Sequence, residues 1–106
     1  MASARRRIYR ALMMDTTDNL GLQPRLAPHY FFRWEESQNA YILLYPEGLI
    51  KLNDTAGEIM KRCDGQASVQ GIIQDLEKVF PDANADIAAG VQAFVHVART
   101  KGWLRA

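Results

Sequence analysis

The order of apolar and polar positions divides the chain into a strand-forming part and a helix-forming part. Tyr30, Phe32 and Trp34 alternate with Phe31, Arg33 and Glu35, the period-two pattern of a strand rich in aromatic residues. A polar turn, Glu36-Ser37-Gln38-Asn39, separates it from Ala40–Tyr45, where both parities are apolar, as expected of a central strand covered on both sides. Pro46-Glu47-Gly48 then supplies a turn through a fixed φ and a permissive glycine, leaving residues 49–52 for a third, short strand.

From there the period changes from two to about 3.6. Asn53, Asp54 and Thr55 can each cap a helix, and Thr55 with Glu58 has capping-box spacing. Ala56, Ile59, Met60 and Cys63 share one face, and Asp64-Gly65 ends the run, predicting a first helix over residues 54–63. Ser68 caps a second helix with Val69, Ile72, Ile73, Leu76 and Phe80 on its apolar side, and Pro81-Asp82 breaks it. Asn84 is the predicted cap of a third helix running to about Thr100, with the stripe Ile87, Val91, Phe94, Val95 and Ala98. Gly102 stops it, and Trp103-Leu104 is expected to fold back onto the last turn. Three hairpin-linked strands followed by three helices predict an α+β fold. Its three-stranded antiparallel sheet has helices on one side, in a winged helix-turn-helix-like arrangement with the sheet placed first.

A chain of 106 residues with 48% hydrophobic residues is one domain at the small end of the usual range. Its charge is unevenly placed. Arg5, Arg6, Arg7 and Arg10 make the start basic, whereas from residue 24 onward nine Lys/Arg face ten Asp/Glu. Residues 1–23 therefore read as a flexible extension and residues 24–106 as the folded domain. Met13-Met14 suggests a start codon there. The alternative is a basic amphipathic arm, with Ile8, Tyr9 and Leu12 on one side, that docks on a partner. A near-neutral body lacks the basic patch that phosphate neutralisation requires, which argues against nucleic-acid binding. No apolar run has the length of a membrane span, and no signal-peptide core is present. With a single cysteine excluding an intrachain disulfide, the expectation is a soluble cytoplasmic protein.

Catalytic chemistry finds no footing. His29, His96 and Cys63 lack partners at metal-ligand spacing, and Cys63 completes an apolar helix face, as a buried structural cysteine does. The glycines are scattered singly, without the clustering of a phosphate cradle. Asp64 beside Gly65 is accounted for by turn formation. What the pattern offers is a surface. The third helix carries Ala88, Ala89, Ala93 and Val97 beyond its main stripe, and the short third strand ends the sheet with unpaired main-chain groups. If helix and strand lie side by side they form two walls of a groove for an extended peptide.

A family resemblance runs through the same residues. Leu44-Tyr45-Pro46-Glu47-Gly48, then Lys51-Leu52-Asn53 with Thr55-Ala56, then Cys63-Asp64-Gly65 and Val69 resemble the signature of the PqqD family, and the likeness extends from Leu26 to Leu104. It implies a peptide chaperone of pyrroloquinoline quinone biosynthesis. Such a chaperone binds the precursor peptide PqqA and delivers it to the radical SAM enzyme PqqE, which cross-links a glutamate and a tyrosine of the peptide. The chaperone itself would hold no cofactor or metal. The resemblance implies a guest strand added against strand three, with helix three as the other wall. The peptide-facing residues would then be Leu49, Ile50, Lys51 and Leu52, with Val91, Phe94, Val95 and Ala98 opposite. Two features depart from the family pattern: the arginine-rich start, and Gly71 within the second helix. Two other classes compete. A winged-helix nucleic-acid binder would have to read bases with Gln92, His96 and Arg99 on helix three, near Asp86, or with a helix two that carries Asp75 and Glu77 beside Lys78. A structural domain could instead use the open edge to form a homodimer.

Overall fold

The computed structural model describes residues 19–106, so the arginine-rich start, the apolar positions Ile8, Tyr9 and Leu12, and the Met13-Met14 pair lie outside the described residues. The strands are β1 (Arg25–Leu26), β2 (Phe31–Glu35), β3 (Ala40–Tyr45), β4 (Gly48–Lys51) and β5 (Leu104–Arg105); the helices are α1 (Asp54–Met60), α2 (Val69–Val79) and α3 (Asn84–Thr100). β2, β3 and β4 form the expected antiparallel meander with β3 in the middle. Its register pairs Phe31 with Leu44, Leu44 with Leu49, Leu43 with Ile50, and Ile42 with both Arg33 and Lys51. The fold is α+β, a three-stranded antiparallel sheet with three helices.

Alternation sorts the sheet into two faces. Phe32, Trp34, Tyr41, Leu43, Tyr45, Ile50 and Leu52 face the helices. There Leu43 and Leu52 join Ile59, Met60, Cys63, Val69, Ile72, Ile73, Leu76, Val91, Val95, Ala98 and Leu104 in one core. Aromatic rings close the near end of this face: Tyr41 stacks on Phe32 at 5.1 Å between centroids and meets Trp34 edge-on at 4.9 Å. Phe31, Arg33, Leu44, Leu49 and Lys51 point the other way.

The helix ends show where local signals competed. Asn53, rather than Thr55, caps α1: its Oδ1 accepts from the Ala56 amide at 2.8 Å, while Glu58 turns to Lys61 and Arg62 instead of closing a capping box. α1 ends at Met60, three residues earlier than predicted, because the Arg62 and Cys63 amides bond to Ile59 and Met60 in i→i−3 fashion. Ser68 caps α2 as expected, its Oγ accepting from Gly71 at 3.0 Å, so the unusual glycine sits in the capped first turn, close to the cap hydroxyl. Phe80 lies past the end of α2 with non-helical torsions and is 42% exposed, off the apolar face on which it was expected. A 3₁₀ turn, Pro81–Ala83, leads into α3 and puts Ala83, not Asn84, at the N-cap.

The two ends of the described residues are tied to the domain by main-chain bonds. At the end of α3 the Trp103 amide bonds the Ala98 carbonyl (2.8 Å) and the Gly102 amide bonds Arg99 (3.1 Å), with Gly102 at φ 82°: a Schellman motif. The tail then pairs as β5 with β1, and the Ala27 amide donates to Trp103. Gly65 donates to Pro24, and the Val69 amide to Leu22. Leu20 and Leu22, within the stretch expected to be a flexible extension, pack against the core. The Asp64 carboxylate accepts from the Gln66 and Ala67 amides at 2.8 and 2.9 Å, and these bonds, Ala67 foremost, hold its pKa below the usual carboxylate range. The Cys63-Asp64-Gly65 motif is thus a turn that clasps the segment before the sheet.

Candidate functional site: an open strand edge beside an apolar pocket

The edge at β4 follows from hydrogen-bond alternation. The Leu52 amide donates to the Tyr41 carbonyl at 2.9 Å, toward β3. Alternate residues of an antiparallel strand point their N–H and C=O groups to the same side. Ile50 therefore bonds inward as Leu52 does, and the main-chain groups of Leu49 and Lys51 face outward. Among the described residues β4 has no second neighbour, so these groups form an unpaired donor–acceptor row.

Where β4 hands over to α1, a pocket of about 280 Å³ opens between α1, the end of α2 and the first half of α3. Ile59, Leu76, Phe80, Ile87 and Val91 give it an apolar lining, with Asp54 and Asp86 among its charged residues. The backbone of Gly90 also lines it, and a Cβ built on Gly90 would meet nothing within 4 Å. The absent side chain leaves that part of the pocket empty.

The residues singled out from sequence fall into two groups. Leu49, 50% exposed, and Lys51 stand at the open edge, and Ile50 and Phe94 are half-buried against the core. Leu52 (6% exposed), Val91 (1%), Val95 (0%) and Ala98 (0%) are core residues. The expected placement of the helix-three stripe as a groove wall is corrected accordingly. Val91, Val95 and Ala98 are the residues α3 needs to pack on the sheet and α2, so they have no surface left for a guest. Only Val91 reaches the pocket lining. The accessible wall belongs to Ile87 and Gly90, joined by Thr55 and Phe80 from neighbouring elements. Of these, Ile87 was legible as the first member of the stripe. Gly90 could have been found as the one residue of that segment lacking a side chain between Ile87 and Val91.

His29 and His96 are exposed, and no group of three or more His, Cys, Asp or Glu is placed to hold a metal among the described residues. The Cys63 thiol donates to the Ile59 carbonyl at 3.3 Å, and burial, aided by the nearby Asp64 charge, pushes its pKa up to about 12. That is an inert thiol rather than a nucleophile. The sign of the shift gives a test. An unfolded cysteine ionises near pH 8.5, so the stabilisation from the protonated, buried thiol is complete below that pH and is lost as pH rises toward about 12. Denaturant midpoints should fall more steeply between pH 8.5 and 10.5 in the natural protein than in Cys63→Ala. Parallel profiles would show the thiol to be accessible.

An open edge strand leading into a helix that lines an apolar pocket is the geometry by which peptide-recognition domains take up an extended segment. The family described as Coenzyme PQQ synthesis protein D (PqqD) matches residues 40–104. The chain belongs to the PqqD family. A PqqA binding protein of Pseudomonas entomophila (strain L48) is 44% identical over 81 residues, 76% of this chain and 88% of the relative. Another, from Azotobacter vinelandii (strain DJ / ATCC BAA-1303), is 41% identical over 92 residues, 87% of this chain and 97% of that one. The fold also matches the solution NMR structure of the PqqD truncation of Methylobacterium extorquens PqqCD. That structure is described as a functional and stand-alone recognition element for ribosomally synthesized and post-translationally modified peptides (RiPPs). The TM-score is 0.66 at 30% identity, over 78% of this chain and 88% of that one.

Proposed function

We propose that this protein binds the precursor peptide PqqA in the cytoplasm and presents it to the radical SAM enzyme PqqE for pyrroloquinoline quinone biosynthesis. The observation that carries the reading is the row of outward main-chain groups at Leu49 and Lys51, on a strand that runs directly into α1, whose first residues Asp54 and Thr55 line the pocket. A guest strand takes its affinity from main-chain hydrogen bonds at such an edge and its specificity from side chains in the adjoining pocket. The names of the relatives, PqqA binding protein, support the choice of guest. Presentation to the enzyme rests on the family resemblance.

Amide NMR titration of labelled protein with PqqA tests the reading. Shifts should concentrate at Gly48–Lys51, Thr55 and residues 87–91. Shifts confined to the exposed side of α2, or none at saturating peptide, would contradict it. Gly90→Leu adds a sharper arm. Filling the open space replaces a poor helix former with a good one, worth roughly 0.5–1 kcal/mol of stability, while blocking the pocket. Its melting temperature should hold or rise as PqqA affinity drops at least about tenfold, the equivalent of about 1.4 kcal/mol.

A further inference from the structure

The face of the sheet turned away from the helices carries a pattern that stops abruptly at the β4 edge. In register across the three strands lie Phe31, Leu44 and Leu49, an apolar row in which Phe31 is 67% exposed and Leu49 half exposed. The next row on the same face is Arg33, Ile42 and Lys51. Arg33 is already neutralised by Glu35 at 2.8 Å, whereas Lys51 has no acidic partner among the described residues. Both rows end on Leu49 and Lys51, the residues whose main-chain groups point outward. Directly opposed cross-strand side chains are the pairs that interact most strongly in a sheet. The side chains a guest strand places beside Leu49 and Lys51 therefore complete or violate these rows.

We propose that the β4 edge selects a guest segment with an apolar residue beside Leu49 and an acidic residue two positions away, beside Lys51, both on the sheet face opposite the helices. The proposal rests on the reading of β4 as the peptide-binding edge. It assigns Lys51 as a specificity-determining residue for a carboxylate. It also assigns Leu49 as the place where the Phe31–Leu44 row gains a fourth member. The residue between the two points to the helix side, toward Ile50, and is read separately. A lysine on an edge strand also discourages unwanted strand pairing by its charge and length, and both roles suit the same position. A second copy of this chain fits less well. An antiparallel self-pairing with Leu49 opposite Leu49 would bring Glu47 beside Lys51, but Glu47 lies in the turn before β4, outside the strand.

The test uses the full chain and PqqA. Each acidic residue of the peptide is changed to lysine in turn and titrated against the natural protein and Lys51→Glu, with Lys51→Ala as the uncharged control. One position is expected at which the acid-to-lysine change weakens binding to the natural protein by roughly threefold to tenfold and at which Lys51→Glu restores it. The apolar residue two positions from it should, when changed to serine, lose affinity to the natural protein but little further to Leu49→Ser. Binding of PqqA with no acidic position coupled to residue 51 overturns the inference and leaves the peptide-binding reading intact. Absence of PqqA binding to the natural protein removes that reading itself. A concentration-dependent dimer in sedimentation that needs both Glu47 and Lys51 would assign the edge to a second copy instead, and would also overturn the inference.

Discussion

Leu49→Pro is expected to weaken peptide capture sharply while leaving the domain folded. The Leu49 amide points away from β3, so a proline there removes no hydrogen bond of the meander. Edge strands with the N–H turned to solvent are where sheets tolerate proline. A guest strand, in contrast, loses an acceptor–donor bond and meets the pyrrolidine ring. Circular dichroism and melting should stay close to those of the natural protein, and PqqA binding by calorimetry should fall by at least about tenfold, from one lost main-chain bond and the ring's obstruction. Leu49→Ala, which keeps the amide, separates the main-chain effect from loss of the side chain. Full binding by the proline variant would place the peptide elsewhere, with the β2 edge the next to test.

The second large effect is on stability. Gly57→Ala should destabilise the fold by about 1–3 kcal/mol, the usual cost of overpacking, and lower the melting point by roughly 5–20 °C. Helix propensity by itself forecasts the opposite, a gain of up to about 1 kcal/mol. Packing wins because α1 lies against β3 with Gly57 on the Tyr41 side chain. A Cβ there would overlap the ring, at 2.9 Å from Cγ and 3.1 Å from Tyr41 Cβ. Tyr41 cannot swing aside easily, held by Phe32 on its face and Trp34 at its edge. Tyr41→Ala in the Gly57→Ala background should recover part of the loss, and the coupling can be read from a double-mutant cycle. A raised melting point for Gly57→Ala would mean that α1 stands off from the sheet.

Gly57 and Gly90 make an instructive pair. Both are single glycines inside helices, and nothing local distinguishes them. One is pressed against an aromatic ring and the other faces open space beside a pocket. The expected consequences of substitution are opposite in kind: lost stability at residue 57, lost binding at residue 90. A helix periodicity places each residue on a face, but it does not say what stands opposite that face.

The same division runs through the site. Tyr30 to Glu35 alternate and Ala40–Tyr45 is apolar throughout between two turn signals, so the meander and its order are legible, and β4 as a short edge follows from Pro46 before it and Asn53 after it. The α2 and α3 stripes were legible for the same reason, since period 3.6 marks a buried face wherever it occurs. That periodicity also misdirected the reading of α3: Val91, Val95 and Ala98 are its most regular positions because they are core, and a core face is not a binding face. The pocket escaped notice because its lining comes from three helices and the connection between two of them. Thr55, Phe80, Ile87 and Gly90 share no spacing that a linear pattern could register.

By itself, the sequence determined the α+β class, the order of the three meander strands and three helices, the helix stop at Gly102 and the family to which the chain belongs. These are set by local chemistry: alternation of side chains, caps and torsions open to glycine. Tertiary structure alone decided that the tail returns to pair with β1, that Gly57 must lack a side chain, and that α3 turns its stripe inward and offers Ile87 and Gly90 to the surface. Each of these depends on which elements come into contact across long separations in the chain. Packing between such elements outweighs the fractions of a kcal/mol by which local preferences differ.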